Sequence, residues 1–242
     1  MRYGNELSDA ADIPSGVPQG SVLSPLFVAI FVNDLLCKIF SNSIICYADD
    51  IKIWGPPSDS IGSDIGLLSE WMESNYMSVN TDKCEVIHFG RNNHHRSYFY
   101  RNTPIRVVQE FRDLGVLVDS KLTFRSHSLS VYIKCLRLIH IIFKVFSSRS
   151  ADLYIKAFNV NVFPVVGYCS YLYFNRSLIN SNQVEKIQKT FTKRLFYRVY
   201  RNEPCPSYGD RLKLFSIPIG GPWPKILGGP TKNGHLKFFW KN

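Results

Sequence analysis

The segment Ser43–Ala48 is rich in β-branched and aromatic residues, is interrupted by two aspartates, and resumes as Ile51–Trp54. Each half is long enough for a short strand, and the turn signal Gly55-Pro56-Pro57 follows. This pattern predicts a β-hairpin with Asp49 and Asp50 at its tip. Two neighbouring carboxylates repel each other, and a divalent cation relieves that repulsion. Aspartate pairs also form ordinary turns, so the hairpin alone does not establish a metal site.

The hydrophobic pattern of the chain changes near residue 120. Before it, strands are predicted at about 84–89, 97–100, 105–108 and 114–118. Two helices are also predicted there: a mostly buried one over Leu26–Phe40, starting with a Ser24 cap and Pro25, and an amphipathic one over 61–76. Beyond residue 120, long helices are predicted at about 123–147, 150–162 and 180–200. We therefore expect an α+β fold with a mixed unit followed by a helical unit.

Charge is distributed unevenly along the 242 residues. Residues 1–120 contain 9 Lys or Arg and 15 Asp or Glu, a net charge of −6, whereas residues 121–242 contain 20 and 4, a net charge of +16. Basic helix faces are often merely solvated. A basic half joined to an acidic half also fits a metal-bearing site beside a phosphate backbone. Charge alone leaves nucleic-acid binding open.

Six scattered cysteines without a short Cys-x-x-Cys spacing argue against a disulfide framework or zinc site and favour a reducing compartment. The N-terminus lacks a signal-peptide profile, and no apolar run reaches membrane-spanning length. We expect a soluble, intracellular protein of the nucleus or cytoplasm that does not bind membranes.

A second motif lies about thirty residues before the aspartates, as the string Ser15–Pro25 with glycines on both sides of Pro18-Gln19. The glycines allow the backbone to approach a ligand closely before the helix begins. A simple tight turn would account for one glycine and a proline, but not for the whole string followed by the aspartate box.

These motifs together resemble the reverse transcriptases of non-LTR (long interspersed element type) retrotransposons. In that family a Gly-Val-Pro-Gln-Gly-Ser-x-Leu-x-Pro box, a helix ending in Asn-Asp-Leu and a Tyr/Phe-Ala-Asp-Asp box occur in this order. The resemblance covers about residues 3–218, and the matching segments are Gly16–Pro25, Asn33–Leu35, Tyr47–Asp50, Asn80–Cys84, Phe111–Val116, Gln188–Arg194 and Tyr208–Leu214.

The resemblance implies a fold and an activity. Residues 1–120 would be a partial polymerase palm, an antiparallel sheet with packed helices. Residues 121–218 would be the basic helical thumb and the region after it, and the Gly- and Pro-rich residues 219–242 lie outside the family pattern. The implied activity is RNA-directed DNA polymerase: nucleotidyl transfer to a primer 3′ end with Mg²⁺, for which Mn²⁺ can substitute. The implied partners are an RNA template, a DNA primer and deoxynucleoside triphosphates.

The resemblance also implies roles for individual residues. Asp49 is a catalytic metal ligand, and Asp50 supports the same site. Lys83 would assist the departure of pyrophosphate, although it could equally be an ordinary surface lysine. Residues expected near the incoming nucleotide and the template are Gly16, Pro18, Gln19, Gly20 and Tyr47. Residues expected near the primer are Leu114 and Gly115.

The family's upstream palm aspartate and its fingers region have no counterpart in residues 1–14, where Asp9 and Asp12 are interpreted as turn residues. We therefore expect this chain to be inactive by itself, as a truncated copy or a fragment. Two alternatives stay open. One is a non-catalytic module whose basic helices grip a duplex through its phosphates. The other is a non-functional product that folds poorly because of an open sheet edge and an uncovered apolar face.

Overall fold

The computed structural model describes residues 2–4, 6–7, 9, 16–18, 20–38, 41–90, 93–173 and 178–215. They belong to two compact units, Met1–Val108 and Gln109–Asn242. Helices and short strands occur together, which confirms the α+β class. Residues 219–242, expected outside the family pattern, lie outside the described residues.

The first unit contains two helices and eight short strands among its described residues. In chain order these are β1 (Arg2–Tyr3), β2 (Glu6–Leu7), α1 (Ser24–Leu36), β3 (Ser43–Tyr47), β4 (Asp50–Trp54), α2 (Asp59–Ser74), a 3₁₀ turn (Thr81–Lys83), β5 (Glu85–Ile87), β6 (Phe99–Tyr100), β7 (Thr103–Pro104) and β8 (Arg106–Val108).

The resemblance implies an antiparallel sheet with packed helices. In the described residues the strands instead form separate two-stranded pairs. The pairs β1–β2, β3–β4 and β6–β7 are antiparallel, whereas β5 and β8 are parallel. Parallel pairing requires a crossover connection of about a dozen residues or more. The segment 88–105, which contains the β6–β7 hairpin, provides this crossover.

Helix α2 follows the predicted amphipathic pattern. Its buried Trp71 and Met72 form one small core with Leu35 of α1 and with half-buried residues of the β3–β4 hairpin. The prediction that Tyr76 extends the buried stripe is wrong, because the helix ends at Ser74 and the Tyr76 side chain is 100% exposed. Tyr76 has a φ of 55°. The amides of Tyr76 and Met77 donate to the Glu73 and Met72 carbonyls, the pattern of a Schellman motif.

Helix α1 differs most from its prediction. It ends at Leu36, Phe40 lies outside the described residues, and only Ser24 and Leu35 are buried. The large side chains of the helix that remain exposed are Leu26, Phe27, Ile30, Phe31 and Leu36. A helix that is apolar all round is normally buried on all sides. In the described residues α1 is covered on one side, where Phe31 lies 5.6 Å from Trp71 between ring centroids.

The second unit consists of one hairpin and six helices in the described residues. They are β9 (Glu110–Asp113), β10 (Val116–Asp119), α3 (Arg125–Val145), α4 (Ala151–Asn161), α5 (Phe163–Gly167), α6 (Ser170–Tyr173), α7 (Leu178–Val199) and α8 (Tyr208–Leu214). The helices α3, α4 and α7 lie close to the predicted ranges. The unit starts at Gln109, before the boundary expected near residue 120, because the β9–β10 hairpin packs against α3.

One core holds the second unit together. Its fully buried members come from α3, α4, α5, α6 and α7, and they include Ile139, Tyr154, Val166, Tyr173 and Ile187. Two buried hydroxyls donate to backbone carbonyls. Tyr154 Oη donates to the carbonyls of Phe146 and Ser148, at 2.7 and 3.0 Å, and Tyr173 Oη donates to the carbonyl of Val166, at 2.6 Å. This core is larger than those of the first unit.

All six cysteines are free thiols. Burial raises the pKa of the Cys135 thiol to about 12, partly countered by Lys134, so this thiol stays protonated and inert. In the described part of the chain, no helix is both long and apolar enough to cross a membrane.

Candidate active site

The predicted hairpin is present, and the aspartate pair lies at its tip. Tyr47 pairs with Asp50, so Ala48 and Asp49 form the two-residue turn between β3 and β4. Ala48 has a φ of 53°, in the left-handed region, where a residue with a side chain costs about 1–2 kcal/mol. Asp49 and Asp50 are both exposed. The short turn therefore holds two adjacent carboxylates in solvent on a fixed support.

The hairpin is supported from one face. Ile44, Cys46 and Ile51 pack on the small core formed by α1 and α2. The alternation of the strand sends Ile45 and Tyr47 to the other face, where their side chains are 51% and 64% exposed. Burial raises the pKa of the Cys46 thiol, in keeping with a packing role.

The base of the hairpin is fixed by a buried carboxylate that sequence reasoning missed. Asp64 on α2 is 1% exposed and accepts hydrogen bonds from the Ser41 amide, the Asn42 amide and Asn42 Nδ2, at 3.0, 2.9 and 2.8 Å. Gly55, at the end of β4, lies against the same asparagine: a Cβ there would come 1.9 Å from Asn42 Oδ1. Asp64 thus connects α2 to the point where the hairpin starts and ends.

The glycine-rich box forms a turn in front of α1. The Ser21 amide donates to the Pro18 carbonyl at 3.3 Å, and Gly20 has a φ of 84°, a backbone conformation that favours glycine. Gln19, expected near the nucleotide, lies outside the described residues. Gly16 has a φ of 91°, and no atom of the described residues lies within 4 Å of a Cβ built on Gly16 or Gly20. The backbone here is therefore open to close approach.

Ser24 does not cap α1 as predicted. It is the first helical residue, it is buried, and its hydroxyl donates to the Pro18 carbonyl at 2.6 Å. Pro25 lies in the first turn of the helix, as predicted. The hydroxyl therefore fixes the box to the helix.

Lys83 lies exposed on the 3₁₀ turn. Asn80 organises this turn, because its side chain accepts from the Asp82 amide at 3.1 Å and its carbonyl accepts from the Lys83 amide at 3.1 Å. Burial raises the pKa of the Cys84 thiol, which follows the turn. The side chain of Lys83 thus projects into solvent from a short and well-tied loop.

Leu114 and Gly115 form a two-residue turn in the second unit. Asp113 pairs with Val116, and both turn residues have positive φ values, 44° and 88°, as in a type I′ turn. The Leu114 carbonyl accepts from Tyr168 Oη at 2.6 Å. The hairpin expected near the primer is therefore present, with its tip tied to the segment between α5 and α6.

The two basic segments that resemble the family contact each other. Tyr208 Oη donates to Gln188 Oε1 at 2.8 Å, and Arg211 Nε donates to Thr192 Oγ1 at 3.3 Å. Lys189 Nζ lies 5.1 Å from the centroid of the Tyr208 ring. Burial and Glu185 raise the pKa of Tyr208 to about 12, against the opposing effect of Arg211. These contacts fasten α8 to α7, so much of the resemblance here is structural.

The donor chemistry of the hairpin tip suits a hard divalent cation, because carboxylate oxygens are the ligands that Mg²⁺ prefers. Within the described ranges, no group of three or more His, Cys, Asp or Glu side chains converges on one point. By themselves, Asp49 and Asp50 could supply only part of the coordination sphere of such a cation.

Comparison with known proteins shows what the chain is similar to. Residues 4–118 match the family model described as reverse transcriptase (RNA-dependent DNA polymerase). The matched residues include the Pro18 box and the aspartate hairpin. No solved structure gives a significant match to the chain.

The chain is also similar to curated polymerases of mobile elements. The chain is 25% identical over 233 residues to the RNA-directed DNA polymerase from mobile element jockey of Drosophila funebris, which covers 83% of this chain and 25% of that protein. The jockey polymerase of Drosophila melanogaster is 27% identical over 138 residues, 51% of this chain and 15% of the relative. A probable RNA-directed DNA polymerase from transposon X-element of Drosophila melanogaster is 25% identical over 161 residues, which are 62% of this chain and 18% of that relative. The chain spans a quarter or less of these relatives.

Proposed function

We propose that this chain is the part of a non-LTR retrotransposon RNA-directed DNA polymerase that carries the Asp49–Asp50 metal ligands. The observation that carries the proposal is an exposed carboxylate pair at a hairpin tip, with Asp49 in the two-residue turn and Asp50 as the first residue of β4, within the segment that matches reverse transcriptases. When bound, Mg²⁺ would activate the primer 3′ hydroxyl and neutralise charge on the triphosphate, as in other phosphoryl transfers. Mn²⁺ is the expected substitute.

The chain's own residues would bind and orient the substrates. Asp49 and Asp50 would hold the cation at a fixed position, since the hairpin is locked at its base by Asp64. The open backbone at Gly16, Pro18 and Gly20, together with Gln19, would lie along the incoming nucleotide and the template, with Tyr47 beside the aspartates. The positive φ values of both glycines leave room for a base or phosphate against the main chain.

The remaining roles concern the leaving group and the primer. Lys83 has an exposed ammonium on a fixed turn, which suits charge neutralisation of departing pyrophosphate. The turn Leu114–Gly115 would contact the primer strand. We also propose that residues 1–120 and 121–218 correspond to the palm and to the thumb with its following region.

Two carboxylates alone give a weak metal site, because part of the coordination must come from substrate phosphates, water or further ligands. We therefore propose that the 242-residue chain by itself does not support efficient synthesis. A primer-extension assay with an RNA template, a DNA primer and Mg²⁺ tests this. Robust DNA synthesis that Asp49→Ala abolishes would overturn the proposed inactivity.

The site itself is tested by metal-dependent nucleotide binding. A fluorescent deoxynucleoside triphosphate should bind more tightly with Mn²⁺ than with EDTA, and Asp49→Ala should remove that difference. Glu70→Gln, which neutralises an exposed carboxylate on α2, is the matched control and should retain it. Equal binding with and without Mn²⁺ in the unaltered chain would contradict the proposed site.

A non-catalytic nucleic-acid-binding role is the second candidate. It is favoured by the charge of α3 and α7, which together carry nine Lys or Arg residues and one glutamate. The two candidates make different predictions for Asp49→Ala: it should remove metal-dependent nucleotide binding but leave salt-dependent nucleic-acid binding unchanged.

A further inference from the structure

The second unit carries a basic groove between the C-terminal parts of α3 and α7. Its volume is about 700 Å³, within the range of ligand-binding pockets. Below, the groove means the space lined by His140, Phe143, Lys144, Arg194, Tyr197, Arg198 and Arg201. The lining contains four Lys or Arg side chains and no carboxylate.

The positive charge of the groove side chains exceeds the partial negative charge of the two helix C-termini beside them. Helices α3 and α7 end at Val145 and Val199, and each C-terminus contributes about half a negative charge. Two such ends amount to about one negative charge, against four cationic side chains in the lining. One of those cations also satisfies a helix end directly, because Arg198 donates to the Phe143 carbonyl at 2.7 Å. A strongly positive potential remains for an anionic ligand.

Of the four cationic side chains in the groove, one packs against the core and three are exposed to solvent. Arg198 is half-buried, and its guanidinium lies 5.9 Å from the centroids of the Phe143 and Tyr154 rings, so it also supports the core. Lys144, Arg194 and Arg201 are exposed. These three can bind a ligand without disturbing the packing of the helices.

Exposed rings accompany the charges. The Tyr197 ring is 48% exposed on α7, and its inner neighbour Phe196 packs at 5.9 Å between centroids. His140 is exposed on α3 and also belongs to an open, mainly apolar patch on one face of that helix. The patch contains Ile133, Leu136 and Ile141 beside Arg137. The surface therefore runs from cationic to aromatic to apolar.

We propose that this groove and its apolar neighbour bind single-stranded nucleic acid, with the phosphates on Lys144, Arg194 and Arg201 and a base stacked on Tyr197. A basic groove with exposed rings is the usual arrangement for single strands. A duplex encloses its bases, so it would engage the cations and leave Tyr197 and the apolar patch without partners. The inference deepens the nucleic-acid part of the proposed function, but it requires nothing of Asp49.

Fluorescence anisotropy on the full 242-residue chain tests the phosphate contacts, with a labelled single-stranded RNA of about 12 nucleotides as the probe. The test variant is Lys144→Ala/Arg194→Ala/Arg201→Ala. The control is Lys134→Ala/Lys156→Ala/Lys186→Ala, which removes three exposed lysines outside the lining. Each single-strand phosphate contact contributes about 0.7 to the salt exponent. If binding of the test variant and of the unaltered chain is compared, the loss of three contacts should weaken binding about 100-fold more at 0.1 M salt than at 1 M salt. An equal loss of RNA affinity in both triple variants would overturn the proposal that the groove binds the phosphates.

Tyr197 tests the choice of a single strand. Tyr197→Ala should weaken single-stranded RNA binding about 10-fold and leave binding of a duplex of the same length unchanged, because stacking needs an unpaired base. Tyr197→Phe keeps the ring and should retain affinity. Equal losses for single strand and duplex would overturn the single-strand assignment.

Two competitors separate other anionic partners. Poly-glutamate and phosphatidylserine vesicles carry negative charge without bases, so neither should depend on Tyr197. Tighter binding of either competitor than of RNA would replace the proposal with an acidic polypeptide or a membrane surface. Mn²⁺-dependent binding of a deoxynucleoside triphosphate tests the Asp49 site in a separate assay, so failure of this inference is distinguishable from failure of the polymerase site.

Discussion

Asp119 is the residue whose removal should most clearly destabilise the second unit. It ends β10 and accepts four hydrogen bonds from the loop before α3. They come from the amides of Lys121, Thr123 and Phe124, at 3.1, 3.1 and 2.7 Å, and from the Thr123 hydroxyl at 3.1 Å. Leu122 and Phe124 in this loop have φ values of 52° and 55°. A single carboxylate therefore holds a loop with two left-handed residues.

The magnitude follows from these contacts. Hydrogen bonds to a charged group contribute about 1.5–3 kcal/mol each to stability when buried, and the half-exposed position of Asp119 reduces this. Each left-handed residue costs about 1–2 kcal/mol, which the carboxylate offsets. We expect Asp119→Ala to lower the free energy of unfolding by about 2–4 kcal/mol, corresponding to a fall in Tm of roughly 10 °C for a unit of this size.

The effect should depend on pH in a defined direction. Partial burial acts to raise the pKa of Asp119, but the hydrogen bonds from Thr123, Phe124 and Lys121 outweigh it and lower the pKa overall. A carboxyl with a lowered folded pKa stabilises the fold above the unfolded value, about 3.9, and that stability is lost as the pH falls through the folded pKa.

Thermal melts of the unaltered chain and of Asp119→Ala, followed by circular dichroism, give the measurement. The difference between them should be full at pH 7 and shrink as the pH falls below about 4. Asp152→Asn is the control, since Asp152 is an exposed carboxylate on α4. A difference of less than about 0.5 kcal/mol at pH 7, or one that grows in acid, would refute the reasoning.

Three further substitutions test local features. Tyr76→Gly should raise the free energy of unfolding by about 0.5–1 kcal/mol in urea melts, because a fully exposed residue holds the left-handed position of a Schellman motif, and a fall in stability would contradict the assigned helix end. Asp64→Asn should cost about 2–3 kcal/mol, since an amide nitrogen cannot accept from Ser41 or Asn42; no loss relative to Glu70→Gln would remove its role at the hairpin base. Leu114→Asn should stabilise the chain by about 1 kcal/mol, because asparagine tolerates the φ of 44° in the type I′ turn; a lower Tm would argue against that turn.

The local features of the first unit were largely predictable. The β-branched and aromatic runs on both sides of Asp49–Asp50 predicted the hairpin. The three- and four-residue steps from Ile61 to Tyr76 predicted α2, which ends at Ser74. Burial of α1 was not predictable, because periodicity describes one helix and says nothing about which neighbours cover it. An apolar helix predicts burial, and in the described residues only one side of it is covered.

The supports of the candidate site were also not predictable. In the sequence Asp64 is one polar residue beside the apolar Ile65 of a helix. Nothing in that position indicates that its carboxylate is buried and accepts hydrogen bonds from the amides of residues 41 and 42. The basic groove combines Lys144 and Arg194, fifty residues apart, and only the packing of α3 on α7 brings them together. The charge of the C-terminal half predicted a nucleic-acid surface in general, without its position or its aromatic lining.

Cation binding by the hairpin tip tests the central claim most directly. Free Mn²⁺, followed by electron paramagnetic resonance during titration of the 242-residue chain, should reveal weak binding, on the order of 1 mM, from the two carboxylates. Asp49→Asn and Asp50→Asn should each abolish it, whereas Glu70→Gln should retain it. Unchanged Mn²⁺ binding in both aspartate variants, or none in the unaltered chain, would contradict the account of Asp49 and Asp50 as metal ligands.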